Sequence, residues 1–296
     1  MEYLSVVQIA EKWNISPRSV RNYCAEGRIP GAFLTGKTWA IPADAARPVR
    51  QKRSDAAPQT LLDILKAEKA ARQTGGIYHR IQIDLTYNSN HIEGSCLTHD
   101  QTRYIYETST IGITDGSVNV DDIIETSNHF RCVDLIIDHA GSRLSDRFIK
   151  NLHFTLKTGT SDSRQDWLSV GDYKRLPNEV GGHPTTSPET VSARMSELLE
   201  EYAAVQEKTL EELIDFHVRF ERIHPFQDGN GRVGRLILFK ECLRWNIVPF
   251  IIEDDLKLFY YRGLNEWDRE RGFLTDTILT AQDRFKEHLD YFRIGH

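Results

Sequence analysis

The sequence of 296 residues lacks a long apolar run, a secretory leader and paired cysteines. No window approaches the about 18 consecutive apolar residues that a membrane-spanning helix needs. The start, MEYLSVVQIAEKW, has no basic region followed by an apolar run, so we expect neither a secretory signal nor membrane contact. The four cysteines form no Cys-x-x-Cys pair and no Cys/His metal pattern, which favours reduced thiols in a cytoplasm.

The composition is that of a globular protein, but its charge is unevenly distributed. Hydrophobic residues make up 40% and charged residues 27% of the chain, an ordinary balance for a domain with a packed core. Residues 1–53 hold nine Lys and Arg against four Asp and Glu, a net charge of +5, so the remainder carries -11 of the total of -6. A basic head on an acidic body suggests two parts with different partners, although a solvated basic linker explains the charge equally well.

Residues 1–45 have the pattern of a small unit of two helices and a hairpin. VVQIAEKW has apolar positions at helical spacing, and Asn14-Ile15 breaks that pattern. A second helix is expected from Ser16-Pro17, with serine as N-cap, to a stop at Gly27. The apolar runs of GAFLTGKTWAIP flank the tripeptide 35–37, which is typical of a hairpin.

This order of elements resembles the winged helix-turn-helix of excisionase and MerR-like DNA-binding domains, above all in SPRSVRNYCAEGRIPGA and TWAIP. The resemblance implies that the second helix presents Arg18, Arg21 and Asn22 to the major groove, with Lys37 on the wing near phosphate. We therefore expect DNA binding through residues 1–45. The alternative is a degenerate domain that contacts only protein.

The remaining chain is predicted to be mostly α-helical. Residues 46–58 are polar and without periodicity, so we interpret them as a linker to a domain over 59–296. That domain should begin with one long helical stretch, LLDILKAEKAARQ then IYHRIQIDLTYNSNHIEG, that ends at Gly94. Residues 169–186, SVGDYKRLPNEVGGHPTT, are rich in Gly and Pro and predict a hairpin. Ser187, as N-cap, and Pro188 then start the next helix.

Residues 224–235, HPFQDGNGRVGR, combine an anion-binding turn with the start of a helix. Proline at 225 disfavours the α conformation at His224, so the preceding helix should end there. Gly229 and Gly231 flank Asn230, and a helical pattern follows at once. A glycine-flanked turn that leads into a helix presents backbone N–H groups to an anion.

The side chains of the same segment suit phosphoryl or nucleotidyl transfer. Arg232 and Arg235 are three residues apart on one helix face and can both reach a polyphosphate. Asp228 is a hard carboxylate beside the anion site, as a Mg²⁺ ligand should be. His224 can accept a proton near neutral pH. A base, a metal ligand and two arginines at an anion site together indicate this chemistry.

The segment matches the signature of the Fic family, HxFx(D/E)GNGRxxR, at every constrained position, and the resemblance extends over roughly residues 60–290. It implies a helical core with a short β-hairpin flap and the transfer of AMP from ATP to a protein hydroxyl. It also implies that His224 deprotonates the hydroxyl, that Asp228 holds Mg²⁺ or Mn²⁺, and that Phe226 anchors the loop in the core. The implied nucleotide-binding residues are Phe226, Gly229, Asn230, Gly231, Arg232 and Arg235.

Gly231 bears on the group that is transferred. In the Doc branch of the family, which transfers phosphate, a lysine replaces this glycine and would crowd the anion site. With glycine, the α-phosphate can lie next to His224, so the resemblance implies transfer of AMP. Transfer of UMP stays open.

A second segment, SNHIEG, matches the Fic inhibitory motif (S/T)xxxE(G/N) through Ser89, Glu93 and Gly94. The resemblance implies an inhibitory helix at about 80–94, whose Glu93 pairs with Arg235 and removes it from the γ-phosphate. The same glutamate supports removal of AMP from the target in some Fic proteins. The alternative is an ordinary helix end with a glycine stop.

Two further regions resemble parts of Fic proteins that contact ligands. The predicted hairpin takes the place of the flap that holds the target by strand addition, with Gly171, Asp172, Tyr173 and Lys174 as its candidate residues. The segment FYYRGLNEW resembles the region near adenine, which makes Tyr260 and Tyr261 candidates to flank the base. An aromatic core stripe is an equally good interpretation of these two tyrosines.

Two hypotheses for the whole chain follow. The first is an autoinhibited AMP transferase that uses ATP and a metal ion, modifies a Ser, Thr or Tyr hydroxyl on a target protein or on itself, and has a DNA-binding head. The second is a DNA-binding transcription regulator whose Fic region senses nucleotide. Intact His224, Asp228 and Arg235 favour the first, because a sensor can lose the base. The sequence leaves a homo-oligomer open.

Overall fold

The computed structural model describes residues 2–25, 27–36, 38–48, 59–112 and 117–296. The chain divides into two compact units, residues 1–57 and residues 58–296. Lys37, the expected wing residue, and most of the predicted linker, residues 49–58, lie outside the described residues. No helix in the described ranges is both long and apolar enough to span a lipid bilayer.

The smaller unit packs two helices on a three-stranded antiparallel sheet. Its elements are β1 (Tyr3–Ser5), α1 (Val6–Trp13), α2 (Pro17–Ala25), β2 (Phe33–Thr35) and β3 (Thr38–Pro42). The strand order is β1-β3-β2, with Leu4 opposite Ile41 and Thr35 opposite Thr38. Strand β1 was not predicted, because three residues directly before a helix carry no alternating pattern of their own.

Local signals define both helices of this unit. Ser5 and Gln8 form a capping box at the start of α1, and Asn14 ends that helix in the left-handed conformation, with a φ of 52°. Ser16 accepts a hydrogen bond from the Ser19 amide at the start of α2. The two helices bury one apolar face each, and the unit's core consists of Val6, Ile9, Ala10, Trp13, Val20, Cys24, Ile29 and Ile41.

The larger unit is almost entirely helical. Its helices are α3 (Leu61–Ala71), α4 (Ile77–Ile92), α5 (His99–Thr108), α6 (Val120–Asp138), α7 (Asp146–Lys157), α8 (Pro188–Ala204), α9 (Leu210–Ile223), α10 (Asn230–Arg244), α11 (Lys257–Glu266) and α12 (Gly272–Tyr291). Helix α10 is buried along nearly its whole length and packs against α9, α6 and α7. A buried central helix fixes the direction of every side chain at its N-terminus.

The expectation of one long helical stretch before Gly94 was wrong. Helix α3 ends at Arg72, whose left-handed φ of 50° reverses the chain, and α4 starts only at Ile77. Glu68 stabilises the break, because its carboxylate accepts the N–H of Tyr78 at 2.8 Å. The separate α4 can therefore pack against α6 at its own angle.

The predicted hairpin over residues 169–186 is present only at its tip. Strands β4 (Glu179–Val180) and β5 (His183–Pro184) pair around Gly181 and Gly182, which both have positive φ. Residues 169–178 lie outside the strands. Ser187 precedes Pro188 at the start of α8 as expected, but its hydroxyl contacts that of Thr190 and makes no capping bond to the backbone.

Candidate functional site

The loop 224–229 connects the end of α9 to the start of α10 and has little freedom. His224 ends α9 with a left-handed φ of 50°, outside the right-handed helical region that the following proline disfavours, and Gly229 enters α10 with a φ of 78°. The side chain of Asn230 closes the loop, since its Oδ1 accepts the N–H of Phe226 and its Nδ2 donates to the Phe226 carbonyl, both at 2.8 Å. The first amides of α10 are thereby presented to solvent-side ligands as a unit.

Phe226 fastens this loop to the core. Its ring is fully buried and stacks on the imidazole of His153, with 3.9 Å between ring centroids. His153 accepts the N–H of Gly171 through Nδ1, so Nε2 carries the proton and donates to the Asp228 carbonyl at 3.1 Å. Burial lowers the pKa of His153 to about 3, which keeps it neutral in this role. The Phe226 ring is therefore buried, as an anchor of the loop should be, and a contact between Phe226 and nucleotide stays a prediction.

His224 lies at the end of α9, beside the turn that leads into α10. Its Nδ1 lies 3.3 Å from the carbonyl of Glu221 one turn earlier. Burial lowers the pKa of His224, although that carbonyl works in the opposite direction. The lowered pKa favours the neutral imidazole, in which one ring nitrogen carries the proton and the other can accept one, the state that general-base catalysis requires.

Asp228 is ionised and held by two cations. Its Oδ2 accepts a bond from Lys157 at 2.6 Å and one from Arg232 at 3.3 Å, and the backbone N–H of Gly229 also stabilises the carboxylate. Burial pushes the pKa of Asp228 up, but Arg232 and Lys157 hold it down at about 2. The described residues contain no cluster of three or more His, Cys, Asp or Glu that forms a metal site by itself. A single carboxylate fits Mg²⁺ only if substrate phosphates and water complete its shell, which is how this ion usually binds.

Arg235 is held by the segment that matches the inhibitory motif. Its Nη2 donates to Glu93 Oε1 at 2.7 Å and to the Ser89 carbonyl at 2.9 Å, and its Nε donates to the Ser89 hydroxyl at 3.1 Å. Helix α4 ends at Ile92, so Ser89 is in its last turn and Glu93 just beyond it. The ion pair that the resemblance implies is formed. Gly94 follows with a φ of 100°, a conformation that favours glycine.

Gly231 permits this ion pair. A Cβ at Gly231 would overlap the Glu93 carboxylate and lie 2.9 Å from Nη1 of Arg235. Any side chain at this position must displace the contact between the two charged groups. Gly231, which the family resemblance links to the identity of the transferred group, therefore also leaves space for the Glu93 carboxylate.

Glu221 is a partly buried carboxyl, with its side chain 14% exposed, that the sequence did not single out. In the sequence, Glu221 resembles an ordinary charged residue near the C-terminal end of the amphipathic helix α9. Burial raises the pKa of Glu221 to about 8 against the opposing charge of Arg235. Burial lowers the pKa of the neighbouring His217 to about 3. Both groups are then neutral at pH 7, so their separation of 3.9 Å does not mark an ion pair.

The two candidate tyrosines on α11 differ in accessibility. Tyr260 is 1% exposed, and its hydroxyl lies 2.6 Å from His217 Nε2 in the core, which excludes it from flanking a base. Tyr261 is 41% exposed and lines a cavity of about 670 Å³. The cavity lies between the hairpin tip, α9 and α11, and its other lining residues include Val180, His183, Glu221, Leu264 and Asn265.

The four expected flap residues lie outside the hairpin. Gly171 donates its N–H to His153, and Tyr173 is buried, with its hydroxyl bonded to Asp146. Lys174 is also buried, and its ammonium group contacts Asn178, Thr185 and the Ile223 carbonyl. Only Asp172 is exposed. Tyr173 and Lys174 thus fix the base of the hairpin beside the loop, because a buried side chain cannot contact a docked peptide.

Comparison with known proteins agrees with this geometry. Residues 143–241 match the model of the Fic/DOC family. The chain is 29% identical over 194 residues to the protein adenylyltransferase Fic of Drosophila grimshawi, which is 62% of this chain and 38% of that protein. It is 29% identical over 230 residues to the protein of the same name from Aedes aegypti, 74% of this chain and 42% of that protein. The chain thus spans about two fifths of the length of these relatives.

A solved structure gives the fold behind the Fic/DOC match. The chain superimposes on a Fic domain containing signaling protein from Bacteroides thetaiotaomicron with a TM-score of 0.62, over 77% of this chain and 94% of that one. At 24% sequence identity the likeness concerns the fold. The larger unit is therefore a mostly helical structure of the Fic type.

Proposed function

We propose that this chain is a protein adenylyltransferase that transfers AMP from ATP to a protein hydroxyl and is restrained by Glu93. One observation carries the proposal. A single loop brings the neutral His224 and the ionised Asp228 to the N-terminus of α10, and Arg232 and Arg235 lie in the first two turns of that helix. The Fic/DOC match over the same residues, and relatives named protein adenylyltransferase Fic, support it.

The proposed reaction uses each group once. His224 accepts the proton of the target hydroxyl, the hydroxyl oxygen forms a bond to the α-phosphorus, and the bond to the β-phosphate oxygen breaks to release diphosphate. The amides of Gly229, Asn230 and Gly231 hold the α-phosphate, while Arg232 and Arg235 hold the β- and γ-phosphates. Mg²⁺ or Mn²⁺ bound by Asp228 and the nucleotide would neutralise charge on the departing diphosphate.

The ion pair between Glu93 and Arg235 supports autoinhibition. In the observed arrangement Arg235 donates three hydrogen bonds to Ser89 and Glu93, so the same N–H groups cannot also donate to a phosphate. The 670 Å³ cavity beside Tyr261 is the proposed place of the adenine base. We propose that the target backbone adds to the hairpin tip at residues 179–184, whose strands are exposed.

Labelling with ATP that carries a radioactive α-phosphate tests the proposal. The four proteins are the wild type, Glu93→Gly, His224→Ala and the double variant, each with Mg²⁺ and with itself as the first substrate. Label on Glu93→Gly, little on the wild type and none on either His224→Ala protein is the expected result. If no protein is labelled with ATP or with UTP while ATP still binds, the chain is a nucleotide sensor and the transferase proposal fails.

A second proposed function is DNA binding by the smaller unit. Arg18, Arg21 and Asn22 are exposed on one side of α2, while Val20 and Cys24 face the core on the other. We expect a mobility shift of duplex DNA that weakens steeply with salt. The double variant Arg18→Ala/Arg21→Ala should reduce it, whereas Lys66→Ala, on the exposed face of α3, should not. A shift unaffected by the double variant would assign this unit to protein contacts.

With four free thiols, the cytoplasm is the proposed compartment.

A further inference from the structure

Four buried or half-buried charged side chains from separate elements form a closed ring beside the anion-binding turn. Glu125, on α6, accepts bonds from both Arg232 Nη1 and Lys157 Nζ through its two oxygens. Asp228 accepts bonds from the same two cations. The ring joins α6, the end of α7, the loop and α10, so it fixes Arg232 against three other parts of the larger unit.

Each of the two arginines at this site is thus held by one glutamate, but in different settings. Glu93 lies beyond the end of α4, its side chain is 30% exposed, and Arg235 is its only cation within 4 Å among the described residues. Glu125 lies within α6, is 15% exposed, and is bound to two cations. Separation of Glu125 from Arg232 would leave charged groups without their partners in a nearly closed space, which is strongly unfavourable. Glu93 can leave Arg235 far more easily.

Lys157 sets the net charge of the ring that surrounds Arg232. Its side chain is 2% exposed and lies nearer to Asp228 Oδ2 than Arg232 does, at 2.6 Å against 3.3 Å. Two carboxylates and two cations make the ring neutral, and a further carboxylate, that of Asp162, lies 3.8 Å from Lys157 Nζ. Without Lys157 the two carboxylates would outweigh Arg232, and the ring would repel a polyphosphate.

Arg232 also retains donors for a ligand. The observed bonds use one N–H on each terminal nitrogen of its five-donor guanidinium. Its Nε is buried and has no hydrogen-bond partner in the described part of the chain. An unpaired buried donor is unfavourable, and the remaining N–H groups on the two terminal nitrogens stay available to an anion.

We infer that Glu125 is a positioning residue, which holds the Arg232 guanidinium in the orientation that receives the β-phosphate, and that Lys157 is its balancing cation. The inference rests on the proposed function, because it takes a nucleoside polyphosphate as the ligand. It gives the two glutamates opposite effects. Loss of Glu93 releases an arginine for ligand binding, whereas loss of Glu125 disorders one.

Nucleotide binding by the full chain tests this role, in the Glu93→Gly background and with AMP, ADP and ATP as separate probes. Glu125→Ala should weaken ADP and ATP by about tenfold, the value of one hydrogen bond to a charged group, and leave AMP unchanged. Glu125→Gln retains an acceptor for Arg232 and should restore most of the difference between ATP and AMP. The matched control is Asp134→Asn, also on α6, whose carboxylate bonds Tyr78 and Gln82 away from the loop. It should weaken no nucleotide.

Lys157→Met provides the second arm, with an expected loss for ADP and ATP of about tenfold or more. If a single variant fails to fold, Glu125→Ala/Lys157→Met removes one charge of each sign and allows the same comparison. Equal weakening of AMP, ADP and ATP would reduce Glu125 to a structural part and overturn the inference, as would tighter ATP binding by Glu125→Ala. Failure of the Glu93→Gly parent itself to bind any nucleotide would instead overturn the proposed function and, with it, this role.

Discussion

Replacement of Glu93 by glycine should activate the protein and destabilise it in the same step. The variant removes the carboxylate that Arg235 contacts at 2.7 Å and leaves the two bonds from Arg235 to Ser89 in place. Arg235 stays oriented on helix α10, but its charge is no longer neutralised. A phosphate can then take the position of the carboxylate.

The structure sets the size of both effects. A hydrogen bond between charged groups contributes about 1.5–3 kcal/mol, and each 1.4 kcal/mol corresponds to a factor of ten, so release should raise AMP transfer by about 10- to 150-fold. The side chain of Arg235 is only 6% exposed, so the loss of its partner has a cost in the empty protein. We expect the free energy of unfolding to fall by about 1–3 kcal/mol.

The assay combines labelling with α-labelled ATP and thermal unfolding with and without ATP. Glu93→Gln, which has the same shape but no charge, should give intermediate values in both measurements. Saturating ATP should restore more of the melting temperature in Glu93→Gly than in the wild type, because only the variant offers a free Arg235. A variant that is more stable yet no more active than the wild type would refute the view of Glu93 as a brake.

Three other substitutions test the loop and its surroundings. Phe226→Ala leaves a cavity beside His153 and should lower the free energy of unfolding by about 3–5 kcal/mol in chemical denaturation. Asn230→Ala breaks both loop-closing bonds and should cost about 1–3 kcal/mol, with weaker ATP binding measured by titration. The carboxyl of Glu221 keeps its proton up to about pH 8 in the native state, whereas the unfolded chain releases it near pH 4.5. The contribution of Glu221 to stability is therefore full below pH 4.5 and is lost as the pH rises through 8. Glu221→Gln should therefore flatten the fall in melting temperature over this range, and an unchanged profile would contradict the raised pKa.

Much of the local structure was predictable, because short-range sterics determine it. Proline at 225 ended α9 at the expected residue, and a helix follows the glycine-flanked turn as expected, with its first residue at Asn230. The contact between Glu93 and Arg235 followed from a motif whose two halves lie far apart in the chain. The first two predictions need no knowledge of how helices pack, whereas the third was implied by the resemblance to the Fic inhibitory motif.

The rest depends on tertiary packing, which a single sequence does not display. Tyr260 and Tyr261 are adjacent on one helix and so point about 100° apart, and only the position of α12 and α9 decides which of them is buried. Glu125 interrupts no pattern, since α6 also buries other polar residues such as Asn128 and His129. Lys157 ends an amphipathic helix, where lysine is ordinarily solvated. Lys157 is buried because α6 and the loop 224–229 pack around it, which the sequence does not display.

The two bonds of the Asn230 side chain have a kinetic consequence. They tie the loop to itself within five residues, so the anion-binding amides are ordered before any ligand arrives. Capture of the α-phosphate then requires no folding of the cradle, and its association rate should approach that of a rigid site. The slow event that a stopped-flow trace can resolve is the exchange at Arg235 between carboxylate and phosphate. In Glu93→Gly that phase should vanish, leaving a single fast step whose rate rises linearly with ATP.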